Sequence, residues 1–173
     1  MRIIETDADV AEGAAWLAVA EPRFAEVLDA VGKLPLRRRG DGFEALLSAV
    51  VGQQVSTASA DAIWARVVAA GLHVQANVAA ASETDLQGVG LSRPKVRYAK
   101  ALAENGLDYS SLRGMPDETV IAELCKIVGI GRWTAEVYAL SSLGRADVFP
   151  SGDLALQEAA KVLIADRNAP GRS

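Results

Sequence analysis

The run Leu124-Cys125-Lys126-Ile127-Val128-Gly129-Ile130-Gly131-Arg132-Trp133-Thr134-Ala135-Glu136 limits the fold more than any other part of this chain. An apolar helix end meets Gly129-Ile130-Gly131, and a second helical pattern follows directly. Two glycines around one apolar residue predict a tight hairpin, because glycine accepts positive φ and leaves the turn backbone uncovered. The second helix then begins with free N–H groups pointing outward, a ready site for a phosphate oxygen. Further on, Phe149-Pro150-Ser151-Gly152-Asp153 reads as a rigid turn ending in a carboxylate. A backbone phosphate clamp followed by a presented acid points to chemistry on a nucleic acid. Taken alone, a Gly-x-Gly turn also closes ordinary helical hairpins, and Asp153 also reads as a plain cap for a helix from Leu154.

The remaining pattern is helical throughout: alanine and leucine are abundant, aromatics make up 5% of residues, and no stretch alternates over strand length. Helices are predicted over 8–19 and 22–31, with Pro22 in the first turn of the latter. Asp41-Gly42-Phe43-Glu44 reads as a capping box for a helix running to about Val51, which breaks around Gly52-Gln53-Gln54. Ser56 caps the helix that carries 60–70. Short helices at 76–81 and 83–87 lead to a Gly88-Val89-Gly90 turn. Helices at 92–105, 116–127, 132–141 and 153–165 complete the order. Trp16 and Trp64 are expected in the core, and Cys125, in an apolar stripe, as a buried spacer.

At 173 residues the chain fits one domain, or two small lobes sharing a core. No apolar run approaches the ~18 residues that span a membrane. The amino terminus, Met1-Arg2-Ile3-Ile4-Glu5-Thr6-Asp7, lacks a secretory apolar region, and a single cysteine suits a reducing cytoplasm. The net charge of −4 argues mildly against DNA. Cations nevertheless cluster in Arg37-Arg38-Arg39 and in Arg93, Lys95, Arg97 and Lys100, and a hairpin that grips phosphate through amides needs fewer of them. His73 is the only histidine, which speaks against a zinc site or a histidine-based triad.

Three further observations carry a family likeness. The stretch 124–156 resembles the helix-hairpin-helix DNA glycosylases, and within them the 3-methyladenine DNA glycosylase II (alkylbase glycosylase) group. The similarity continues in Phe43–Ser56, which ends Val-Val-Gly-Gln-Gln-Val-Ser, and in Gly88–Lys95, Gly-Val-Gly-Leu-Ser-Arg-Pro-Lys. Together the blocks cover about 22–163. The resemblance implies an all-α, two-lobed helix-hairpin-helix fold with the active site in the cleft between lobes. The central lobe would span about 43–140, with the hairpin at 124–136. The second would join the helices of about 8–40 to the segment 141–173. Relatives usually continue past the catalytic helix with a further helix, so the end at Asn168-Ala169-Pro170-Gly171-Arg172-Ser173 implies truncation or a different closure.

The same resemblance assigns roles. Asp153 is the expected catalytic carboxylate, stabilising the oxocarbenium-like sugar or orienting the attacking water. Trp133 stands where bifunctional relatives carry a lysine nucleophile, which implies hydrolysis by water without strand incision. Its ring offers cation–π attraction to an alkylated purine, and Tyr138 shares the pocket. Gln54 matches the wedge that fills the gap left by a flipped base, with Gln53 bonding nearby backbone and Leu91 a second wedge. Gly129, Gly131, Arg132, Thr134, Arg93 and Lys95 complete the DNA-binding set. Main-chain carbonyls of Cys125, Ile127 and Ile130 would hold K+ or Na+, no other cofactor is required, and one cysteine excludes a four-cysteine iron–sulfur cluster.

The implied protein is a monomeric, cytoplasmic, monofunctional glycosylase that excises 3-methyladenine-type bases from double-stranded DNA and leaves an abasic site. Two rivals remain at this point: a non-catalytic hairpin DNA-binding protein, and a mismatch or oxidised-base glycosylase. Asp153 and Trp133 count against the first. The missing lysine and cluster cysteines count against the second.

Overall fold

The computed structural model describes residues 2–165, and every regular element among them is helical. The order is α1 (Asp7–Ala20), α2 (Pro22–Val31), α3 (Phe43–Gly52), α4 (Thr57–Ala69), α5 (Gln75–Ala80), α6 (Glu83–Gly88), α7 (Arg93–Glu104), α8 (Asp117–Cys125), α9 (Arg132–Ser141) and α10 (Leu154–Ala165), with a 3-10 turn at Ser111–Gly114. Local chemistry explains most starts. Thr6 and Asp9 form a capping box at α1, as Ser82 and Asp85 do at α6, and Ser56 caps α4. Pro22 occupies the first turn of α2, where its missing N–H costs nothing.

The core gathers around α3, whose Leu46, Leu47, Val50 and Val51 are buried against α4, α7 and α9. Buried residues from α4–α9 complete it, among them Val67, Val78, Leu86, Leu102, Leu124 and Ala139. The helices α1 and α2 lie outside this core, pack on each other and bury no residue fully. Arg23 of α2 donates to the Leu163 carbonyl of α10 at 3.1 Å, so the last helix lies beside the second. Two backbone bonds, Ile4 N to Gly144 O at 2.8 Å and Ala146 N to Arg2 O at 3.1 Å, fasten the amino-terminal segment beyond α9. Arg39 N bonds Ser141 O at 3.0 Å and brings the basic loop to the end of α9.

Several expectations are corrected. Asp41 does not cap α3. Gly42 is the N-cap without a side-chain bond, and Asp41 instead receives Arg113 Nε at 2.7 Å. The guanidinium takes both carboxylate oxygens, Nε on Oδ2 at 2.7 Å and Nη2 on Oδ1 at 3.0 Å, a paired ionic contact that a single cap amide does not match. Trp16 is 69% exposed, because α1 packs chiefly on α2, outside the core. Trp64 is half-buried against the core. Cys125 is exposed, since it is the last residue of α8 and turns outward where the chain leaves for the hairpin.

One buried charge had no sequence signal. Arg145 is fully buried, and its Nη2 donates to the carbonyls of Leu112, Arg113 and Met115 at 2.9, 3.0 and 3.0 Å. Asp117 lies 3.5 Å from its Nη1. This guanidinium satisfies the carbonyls of the 3-10 turn and holds that turn against the start of α8.

Candidate active site

The hairpin forms as a helix–turn–helix between α8 and α9. Only Gly129 of the two glycines uses the left-handed region, with φ +94°. A Cβ there would lie 2.2 Å from the Tyr98 ring, so glycine is required twice over, by conformation and by space. Gly131 departs from the expectation: as N-cap of α9 it is extended, φ −87° and ψ 169°, and a Cβ would meet nothing within 4 Å. No side chain caps α9 at this glycine. The first amides of that helix therefore stay open toward solvent, the arrangement that receives a phosphate oxygen.

Beside the hairpin, a cleft of about 490 Å³ is lined by α3, α4 and α9, with Gln53, Gln54, Asp61, Trp133 and Tyr138 in its wall and Arg39 on its border. Trp133 is 48% exposed, and its Nε1 donates to Asp153 Oδ2 at 2.8 Å. The other oxygen, Oδ1, accepts the amides of Ala155 and Leu156 at 2.9 and 3.1 Å. Asp153 thus caps α10 and meets the indole at once, so the two roles open in the sequence are held by one side chain. The indole N–H first, then the amides, pull its pKa below the ordinary 3.8 and keep the carboxylate ionised. Such an acid is a weak base but a permanent negative charge.

Tyr138 is buried in the cleft wall, and its oxygen accepts the Gly42 amide at 2.8 Å. Burial pushes its pKa up to about 12, so it is a neutral phenol that fixes the start of α3. Gln54 is exposed at φ +56°, a non-glycine residue held in the left-handed region directly after α3. Such a position costs about 1–3 kcal/mol and persists only where neighbours over-determine it. Gln53 turns inward instead and donates Nε2 to Gly129 O at 3.0 Å. Thr134 is buried along the cleft, which leaves its amide rather than a projecting hydroxyl at the start of α9.

Three residues expected on the DNA surface are placed elsewhere. Leu91 is 4% exposed and packs in the core, because the Gly88–Gly90 turn folds it inward beneath α6. Leu91→Ala should therefore cost about 2–5 kcal/mol of stability without changing lesion preference, as thermal melting and a release assay would register. Lys95 is buried, and its Nζ donates to Val51 O at 2.7 Å, satisfying a carbonyl in the last turn of α3. Arg132 is exposed, but its guanidinium is committed to Glu136 at 2.8 Å and Glu118 at 3.0 Å. Two nearby carboxylates offset its charge. Arg93 remains exposed, while Lys100 bonds Ala79 O and Arg97 lies over the Tyr98 ring. Asp61 was missed by sequence reasoning because only the tertiary packing of α4 brings it to the cleft.

Since Trp133 supplies the largest share of the pull on Asp153, Trp133→Phe should let that pKa rise back toward 3.8. A carboxyl with a depressed folded-state pKa is stabilising above its unfolded value and loses that contribution as pH falls through the folded value. Because release uses the ionised carboxylate, the acid limb of the wild-type pH–rate profile should lie below 3.8 and move up toward it in the Phe variant. Coincident limbs would remove the indole from the control of this acid.

The geometry has counterparts among known proteins. The family described as HhH-GPD superfamily base excision DNA repair protein matches residues 47–172. A crystal structure of DNA-3-methyladenine glycosidase from Bacillus halodurans is 32% identical, with a TM-score of 0.80 over 96% of this chain and 78% of that one. The Schizosaccharomyces pombe 3-methyladenine DNA glycosylase Mag1, in complex with abasic DNA, is 26% identical, with a TM-score of 0.75 over 88% of this chain and 80% of that one. The "Probable bifunctional transcriptional activator/DNA repair enzyme AlkA" of Mycobacterium tuberculosis is 32% identical over 94% of this chain. The chain spans 35% of that relative's length. Sequence, hairpin and overall fold agree: the chain belongs to the HhH-GPD superfamily of base excision DNA repair proteins.

Proposed function

We propose that this protein excises alkylated bases from duplex DNA by hydrolysis of the N-glycosidic bond and leaves an abasic site. The observation that carries the reading is the Trp133–Asp153 pair, at 2.8 Å, beside a cleft whose rim carries Gln54 and the open start of α9. The glycosidic bond of a stacked base is out of reach, so the nucleotide must first leave the duplex. Gln54 fills the gap from its strained turn, and the amides after Gly131 hold a backbone phosphate. Phosphate contacts of this kind position the duplex and carry no sequence information.

As the bond stretches, positive charge grows on the sugar, and the Asp153 carboxylate stabilises it electrostatically. Its lowered pKa favours this role over proton abstraction, because a base works best with a pKa near the working pH. Trp133 and not lysine occupies the site, so no amine forms an imine with the sugar. The carbonyls of Cys125, Ile127 and Ile130 would hold a monovalent cation. The Ile127 carbonyl already accepts the Ile130 amide at 3.0 Å, and its second lone pair remains for an ion. The protein acts as a monomer on DNA in the cytoplasm. Among the described residues, no helix is long and apolar enough to cross a membrane.

The favoured substrate is a cationic base such as 3-methyladenine rather than neutral hypoxanthine. A cationic purine leaves without prior protonation, and a stacked indole adds about 0.5–2 kcal/mol of attraction. The test is incubation with DNA bearing methylated purines, with released bases identified by mass spectrometry. Release of methylated purines without strand incision supports the reading. No release, faster release of hypoxanthine, or a covalent adduct trapped by borohydride overturns it.

A further inference from the structure

The end of α3 and the turn of the hairpin are pinned to each other and to the same helix, and none of the three contacts involves Trp133 or Asp153. The first is Lys95. It crosses from α7 to the Val51 carbonyl at 2.7 Å, one of the carbonyls left open in the last turn of α3. The ammonium is buried there, where desolvation draws its pKa below 10.5, while the open carbonyl and the negative end of the α3 dipole favour its charge. The second contact lies one turn along α7, where Tyr98 occupies the space that a side chain on Gly129 would need. The third closes the triangle: Gln53, immediately after α3, donates to Gly129 O at 3.0 Å.

Directly after these anchors sits Gln54, with φ +56°. Its left-handed backbone is held just before it, where Lys95 grips the Val51 carbonyl and Gln53 grips the hairpin at Gly129, and two residues on the Ser56 cap starts α4. Resting on the glycosylase reading above, we propose that Lys95, Tyr98 and Gln53 form a strut that couples the phosphate-gripping hairpin to the Gln54 loop, so that seating a backbone phosphate on the start of α9 fixes the wedge for base eviction. Gln53 and Lys95 are then positioning residues: they touch neither the base nor the sugar, and they act through Gln54.

The test uses the full chain and a duplex holding a single 7-methylguanine, either paired with cytosine or placed in a short unpaired bubble. Gln53→Met keeps the side-chain length and removes the bond to Gly129, and Lys95→Met removes the bond to Val51. Both should slow single-turnover release from the paired substrate about tenfold or more, because misplacing a positioning group by about 1 Å is enough to do so. Affinity for undamaged duplex, by fluorescence anisotropy, should change by less than about twofold, since the phosphate contacts are intact. In the bubble, where eviction needs little help, release by the variants should come close to wild type.

An equal loss on both substrates would place the fault in the active centre or the fold, and no loss on the paired one would show no coupling; either overturns the proposal. A fall in duplex affinity matching the fall in rate overturns it too, by making these residues part of the clamp. Should Lys95→Met melt too low to assay, Gln53→Met, which empties no core space, carries the same test. If wild type releases nothing, the glycosylase reading fails, while coupling is still read from 2-aminopurine beside a tetrahydrofuran abasic analogue. Its fluorescence should rise on binding wild type and not on binding Gln53→Met; equal signals from the two overturn the strut.

Discussion

Asp153→Asn should slow base release by at least ~10²-fold, the usual cost of removing an electrostatic stabiliser of developing charge, while leaving duplex affinity and the melting temperature close to wild type. The variant isolates charge from shape. Asparagine is as good a helix cap as aspartate, so the bonds from the Ala155 and Leu156 amides survive through its one carbonyl oxygen. Its NH2 group then faces the Trp133 indole N–H, donor against donor, where the carboxylate accepted at 2.8 Å. Negative charge and a fixed indole are lost together, and both losses fall on the step in which the sugar becomes cationic. Single-turnover release with enzyme in excess, alongside anisotropy on undamaged duplex, makes the comparison. Release within a factor of a few of wild type would remove Asp153 as the stabilising carboxylate, and an equal loss of affinity would make it a binding group instead.

The two hairpin glycines should fail in opposite ways. Gly129→Ala should destabilise the protein by about 2–5 kcal/mol, combining about 1–2 kcal/mol for an L-residue in the left-handed region with about 1–3 kcal/mol for overpacking. The structure supplies both causes: φ +94°, and a Tyr98 ring 2.2 Å from the added carbon. Gly131→Val should leave the melting temperature nearly unchanged, because its backbone is extended and nothing lies within 4 Å of the added Cβ. Its cost should appear on DNA, as a similar loss of affinity for damaged and undamaged duplex, since branched bulk at the start of α9 keeps a phosphate from the open amides. Thermal melts and duplex titrations of the two proteins separate the effects. Unchanged duplex affinity with collapsed lesion preference in Gly131→Val would show that the hairpin does not grip phosphate.

Where chemistry is local, the amino-acid sequence was enough. Helix 132–141 was legible to the residue, because Gly131 precedes it and the apolar spacing has one period. Ser56 announced α4, and Pro22 announced α2, for the same reason: the cap and the first turn are neighbours in the chain. The Gly129-Ile130-Gly131 turn and the presented Asp153 were equally plain, since both depend on a few adjacent residues.

What a side chain faces was decided by the tertiary structure. Asp41 looked like a cap and was drawn off by Arg113, 72 residues away, because the guanidinium fork engages both of its oxygens. Lys95 and Leu91 read as surface residues of a basic, glycine-rich block, yet one closes a helix end and the other fills the core. Trp16 read as core and is exposed, since its helix packs chiefly on α2, outside the core. Arg145 gave no warning at all, for the carbonyls it satisfies lie 30–33 residues back in the chain. The bond that joins Trp133 to Asp153 belongs to the same class. Each residue could be named from the sequence, but the 2.8 Å contact between them exists only because the turn before α10 returns to the first turn of α9.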